Sequence, residues 1–397
     1  MFEIGLLALS IFSQNVDGYI DILIKNPNDR DVVEKITSLG KTAIPIIEKK
    51  LPDVPLATQR SLVRILGAIK DTSATYIILR FTKSESPLMR ADAAHALGEL
   101  QDRRAGPRLA ELLSDVHDSP RGEAAWALGE IGDTSVIPAL VSLTNDPVFT
   151  NRAKALVALG KLKGLSKVTH LEKFLVDPDP SVRISLALAI GRTNDPGYFH
   201  YLEKLTRDAE VFVRIQTFKV LGRFNSESAR SLLVAGLSDP HEGVRMQILE
   251  SLIGLRDPGL MPYVVRLRND PSKAVRKRVS DLMKKLDHQF LIVGMTEVVG
   301  TADLPLDLRR GALIYLMKNL EEEELIRNLL TAFPFWTRND ALNVVRRRVV
   351  EGMTKDQVSL AIGEPSQTKK DSVKHFEEWF YDKPEQKIIF LNGRVIK

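Results

Sequence analysis

Along most of this chain, small and aliphatic residues fall three, four and seven positions after an arginine, and the pattern returns every 31 residues. Ala124, Ala125 and Leu128 stand in this way behind Arg121, and Leu186, Ala187 and Ile190 behind Arg183. Those offsets place one apolar stripe along a helix. An earlier helix in each period is marked by Leu109, Leu140, Leu171, Leu202, Leu233 and Val264. It ends just before an aspartate ladder of Asp115, Asp146, Asp177, Asp208, Asp239 and Asp270, where Asp-Pro pairs such as Asp146-Pro147 break the chain. Each period therefore predicts a helical hairpin.

The register is strict. Arg90, Arg121, Arg152, Arg183, Arg214, Arg245 and Arg276 keep the 31-residue step without an insertion, and so do Gly67, Gly98, Gly129, Gly160, Gly191 and Gly222. A period of this size means a solenoid, in which each unit buries its apolar face against its neighbours. The arginine lies in the first turn of its helix, against the helix dipole, and the aspartate six positions earlier is placed to neutralise it. The late glycine suits a close approach of neighbouring backbone. Asp71, Asp102, Asp133 and Asp195 follow the glycines by four.

Walking back, a unit spans about residues 41–67 and a looser one 16–40. Residues 1–15 are left over. Ile4 to Phe12 is almost wholly apolar and is followed by Ser13 and Gln14, the look of an export-signal core with a small residue at a cleavage point. With Glu3 and no Lys or Arg ahead of it, the same segment also reads as an N-terminal cap helix. Beyond Leu286 the period fails, although Arg309, Ala312, Leu313 and Leu316 restore the pattern after a slip of two residues, and a further helix covers Glu321 to Phe333. Residues 16–335 thus form the array with its terminal cap helices, and 336–397 a separate domain.

In that last segment a helix is expected over Arg338 to Val350. Gly352-Met353-Thr354 then opens a short helix with a Thr354/Gln357 capping box, stopped by Gly363-Glu364-Pro365. Trp379 and Tyr381 share one strand, Ile388 to Leu391 form another, and Asn392-Gly393 is a hairpin turn before Val395.

Composition adds little constraint: 44% hydrophobic and 27% charged residues are ordinary for an ordered chain, and a net charge of +5 is mild for 397 residues. The absence of cysteine removes disulfides, thiolate metal sites and thiol catalysis. There is no apolar run long enough for a transmembrane helix, no phosphate loop and no nucleophile elbow.

The repeated Arg, small pair, Ala-Leu-Gly and following Asp resemble the short HEAT-like repeats named for phycobilisome lyases. The order Gly-Met-Thr, Gly-x-Pro, Trp-x-Tyr, Phe-x-x-Gly-x-Val is similar to the SmpA/OmlA family, the BamE-like envelope domains. The expected fold is mainly α: a right-handed α-solenoid of 31-residue HEAT-like hairpins followed by a small α+β C-terminal domain. The second resemblance implies a non-catalytic interaction module linked to outer-membrane protein assembly, although the family's lipid-bearing Cys is missing here. Deoxyhypusine hydroxylase also resembles the repeat pattern, but that enzyme places His-Glu pairs directly after the repeat arginine to hold iron. Here Ala91-Asp92 and Gly122-Glu123 stand there, so the nitrogen ligands are lost. The expectation is no enzyme, no cofactor and no metal.

A HEAT-like groove is lined by the second helix of each unit, where positions two, five and nine after the arginine lie opposite the buried stripe. These candidates for protein binding are Asp92, His95, Glu99, Glu123, Trp126, Glu130, Lys154, Lys161, Arg192, Lys219 and Arg223, with Trp379 and Tyr381 in the C-terminal domain. The surroundings change sign: residues 84–146 hold 11 acidic and 5 basic side chains, residues 147–223 hold 7 and 13. The expected partner is a protein, an elongated segment held in the concave groove and anchored at Trp126, with no small-molecule substrate. Together with the export-signal reading and the SmpA/OmlA resemblance, the expectation is a non-catalytic protein-binding scaffold of the periplasm or cell envelope. The alternative is a cytoplasmic scaffold binding nucleic acid or another anionic polymer through its basic half, for which Arg266, Arg268, Lys273, Arg276, Lys277, Arg278, Lys284 and Lys285 cluster late in the array. The acidic half disfavours nucleic acid.

Overall fold

The computed structural model describes residues 15–371, 375–382 and 385–396. The apolar run from Ile4 to Phe12, with its export or capping reading, lies outside the described residues. Close contacts divide the chain into two compact units, one ending at Phe224 and the other beginning at Asn225.

In the first unit the helices run α1 (residues 15–25), α2 (Arg30–Ser38), α3 (Ile44–Lys50), α4 (Leu56–Ala68), α5 (Thr75–Phe81), α6 (Pro87–Leu100), α7 (Gly106–Leu112) and α8 (Asp118–Ile131). They continue with α9 (Ile137–Leu143), α10 (Phe149–Lys161), α11 (Pro180–Thr193), α12 (Phe199–Leu205) and α13 (Val211–Leu221). From α3 to α10 short and long helices alternate, as the two apolar sets require. Asp71, Asp102, Asp133 and Asp195 each accept a backbone N–H two residues on, which starts the turn leading into the next short helix. One short helix is missing. Around Leu171 the chain instead forms a 3₁₀ turn over Leu171–Val176, entered through His170 at φ +60°, which still buries Leu171 and Phe174.

The glycine ladder interlocks the long helices. A Cβ on Gly67, Gly98, Gly129 or Gly160 would lie 2.5–3.0 Å from the backbone Cα of Ala96, Ala127, Ala158 or Ala189 in the next long helix. The arginine ladder clamps successive hairpins, but not as the sequence suggested. Arg90, Arg121, Arg152 and Arg183 each grip, through Nε and Nη2, the carboxylate of the aspartate 25 positions later, at 2.6–3.1 Å. The aspartate six positions earlier, where present, offers Nη1 its carbonyl oxygen instead. The pairing therefore joins neighbouring hairpins. The Arg90 hydrogen bond holds the Asp115 carboxyl below its usual range against the effect of burial.

In the second unit, α14 (Glu227–Gly236), α15 (Glu242–Gly254), α16 (Met261–Arg266) and α17 (Lys273–Met283) continue the hairpins. Then come α18 (His288–Gly300), α19 (Leu306–Asn319), α20 (Glu322–Ala332), α21 (Arg338–Val345), α22 (Lys355–Ile362) and strands β1 (Gln367–Asp371), β2 (Phe376–Asp382), β3 (Glu385–Leu391) and β4 (Arg394–Val395). The strands form an antiparallel sheet in chain order. Thr354 and Gln357 make the expected capping box, and Gly363, at φ +101°, ends α22. The helix expected to reach Val350 stops at Val345, and Arg347 turns the chain with φ +54°.

Arg309 deserves its place in the ladder. Almost fully buried, it bonds the Val299 carbonyl and grips Asp356 of α22 with two hydrogen bonds of 2.6 and 2.9 Å. The sheet-bearing segment thus supplies the carboxylate that a following hairpin supplies elsewhere.

Candidate protein-binding wall of the second helices

The long helices of the first unit set their outward residues side by side, because the glycine–alanine interlock holds them close. Asp92 on α6 is paired with Arg60 of α4 at 2.5 Å, with Arg64 a further 3.8 Å contact. His95 reaches across to Glu123 on α8 at 3.0 Å rather than to Glu99 on its own helix. Glu123 also receives Lys154 of α10 at 2.7 Å, and Glu130 is paired with Lys161. The carboxylates and ammonium groups that the sequence assigned to separate acidic and basic surfaces therefore meet along one seam. Glu99 remains outside these pairs on one side. On the other, Arg192, Lys219 and Arg223 are exposed, with no ion pair among the described residues.

Trp126 was expected on an exposed face. It is half-buried, lying against Gly98, whose missing side chain makes room for the indole. Its ring stacks on His95 with centroids 4.3 Å apart and planes 10° from parallel. It also borders a cavity of about 220 Å³ lined by Lys154, Val157, Lys161 and Ser185. The hydrogen bond to Glu123 raises the His95 pKa from its ordinary value, overriding burial. Burial pushes Glu123 up, but His95 and Lys154 outweigh it and hold the carboxyl below the usual range.

Trp379 and Tyr381 are both 7% exposed. The indole N–H donates to Glu377 at 2.6 Å and the phenol to the Gly363 carbonyl at 3.0 Å, so both residues build the sheet's core instead of offering a surface. No cluster of metal-ligating side chains occurs among the described residues.

The HEAT repeat model matches residues 44–125, 108–191, 168–253 and 200–284, well over half the chain. The chain belongs to the HEAT repeat family. The chain is also similar to several solved structures, each under 25% identical to it. Human deoxyhypusine hydroxylase is 24% identical, with 61% of this chain and 94% of that chain covered at a TM-score of 0.30. The CpcE–CpcF complex of phycocyanin lyase from Nostoc is 21% identical, with the same coverages and a TM-score of 0.41. An engineered protein is 16% identical, with 84% and 98% covered and a TM-score of 0.41. No curated protein matches the sequence. Among the described residues, no helix is long and apolar enough to cross a membrane.

Proposed function

We propose that this HEAT-repeat protein is a non-catalytic scaffold of the cell envelope that holds an elongated segment of a partner protein along its long-helix wall. The observation that carries the reading is Trp126: a large aromatic, stacked on one side by His95 and bordering a cavity, in the middle of a wall. Such half-sequestered aromatics act as anchors, since their apolar area is presented at little entropic cost. Glu99 on one side and Arg192, Lys219 and Arg223 on the other would orient a segment of opposite polarity. Asp92, Glu123 and Glu130 are already neutralised, and their role is to shape the wall.

The export-signal reading of residues 1–15 supports an envelope location, and N-terminal sequencing of the mature protein tests it: a start near Gln14 is expected. The capped helix α22, its glycine stop and the Trp379–Tyr381 strand support the SmpA/OmlA resemblance of the final segment, which would engage a second envelope partner. The central test is a pull-down with wild type, Trp126→Ala and a variant carrying Arg192→Glu, Lys219→Glu and Arg223→Glu. Partner recovery should fall in both variants. Equal recovery from all three removes the wall as the binding surface. Loss only in the charge variant, with capture of nucleic acid by wild type, would favour the anionic-polymer reading.

A further inference from the structure

A second site lies in the unit that begins at Asn225, where the ladder is left incomplete. Arg276 keeps half of its usual bonding: Nη1 donates to the Asp270 carbonyl at 2.6 Å and the Pro271 carbonyl at 3.0 Å. The aspartate due 25 positions later is replaced by Thr301. No carboxylate pairs with Arg276 among the described residues, and the side chain is exposed, whereas Arg245, with Asp270 in its fork, is 7% exposed.

The chain around Arg276 explains why nothing closes over it. The ladder glycine of this hairpin is replaced by Lys284, eight positions after the arginine as Gly98 is after Arg90. A long cation cannot interlock with a neighbouring helix, and α17 and α19 do not pack against each other as the long helices of the first unit do. Between them opens a groove of about 510 Å³, with Arg276, Arg268 and Lys284 at its rim and Met295, Leu308 and Tyr315 among its apolar walls. None of the lining residues is acidic.

We propose that this groove docks an acidic peptide segment, one that presents an aspartate or glutamate to the free fork of Arg276 and apolar side chains to the walls. The fold itself shows the complement. Arg121 takes Asp146, which also accepts the Val148 N–H in its turn, and the apolar Leu140 and Leu143 precede that aspartate by six and three positions. A planar guanidinium fork pairs with a single carboxylate through two parallel hydrogen bonds. A polyphosphate would satisfy the cations and leave the apolar walls wet.

The probe is a fluorescein-labelled peptide with the sequence of residues 139–149, titrated against the full-length protein by fluorescence anisotropy. Binding is expected, and replacing the peptide's aspartate by asparagine should weaken it about tenfold or more, as loss of a charge-assisted pair does. Arg276→Gln and Lys284→Glu, each checked by circular dichroism for intact folding, should weaken it comparably, while Trp126→Ala leaves it unchanged because the two sites share no residue. The proposal fails if the peptide does not bind, or if its asparagine form binds equally. It also fails if neither groove variant weakens binding, or if a single-stranded oligonucleotide or anionic vesicles, and not the peptide, depend on Arg276.

Discussion

Gly160→Ala is a demanding perturbation of the interlock between long helices. The added Cβ would stand 2.5 Å from the Ala189 Cα and 2.9 Å from its carbonyl oxygen. Ordinary carbon contacts need about 3.5–4.0 Å, so α10 and α11 must part by about 1 Å. The opposing atoms are backbone and cannot rotate aside. Overpacking of this kind costs about 1–3 kcal/mol, and the better helix propensity of alanine returns at most about 1 kcal/mol. A net loss of about 1–2 kcal/mol is expected. Gly254→Ala supplies the control: nothing lies within 4 Å of its added methyl, so only propensity acts and the variant should be neutral or up to about 1 kcal/mol more stable. Urea unfolding followed by circular dichroism measures the sign. Amide hydrogen exchange should place the loss in residues 149–161 and 180–193, since repeat units couple mainly to their neighbours. A Gly160→Ala protein as stable as wild type would refute the close-approach argument.

Two further outcomes follow from side-chain pairs. Because Glu123 raises the His95 pKa, the stability from that pair is fully present below pH about 6.5 and is lost as pH rises through the folded value; wild type should thus exceed His95→Gln in stability at pH 6 by more than at pH 9 in parallel urea titrations. Asp356→Ala leaves Arg309 buried without its carboxylate, which should cost roughly 3 kcal/mol and raise the proteolytic sensitivity of the α21–α22 connection, measured by limited proteolysis.

The hairpins were legible because apolar offsets of three, four and seven admit one local structure, and the 31-residue period then stacks it. The partner of each ladder arginine was not. Six positions back and 25 forward describe the same aspartate ladder, so the period alone cannot tell a contact within a hairpin from one between hairpins. Strand β1 escaped because Gln367–Asp371 is a polar, largely exposed edge strand without apolar alternation. The C-terminal turns were legible because capping boxes and Asn-Gly hairpins are local chemistry. The setting of Trp126 was hidden, since it depends on the empty side of Gly98 in another helix. The neutralised seam was hidden for a similar reason: net charge along the chain says nothing about which carboxylate meets which ammonium across a helix pair.

The clamp's two-sided bonding makes the array modular in a specific way. Excising residues 147–177 would join Asp146 to Pro178, leaving Arg183 with equivalent carbonyls behind it and its own Asp208 ahead. The shortened stack could close, yet Glu123 and Glu130 would face Ser185 and Arg192 where Lys154 and Lys161 stood. Lineages that gain or lose a hairpin can therefore keep the same internal joinery while exchanging the pattern a bound segment reads, so length and recognition can change in a single genetic step.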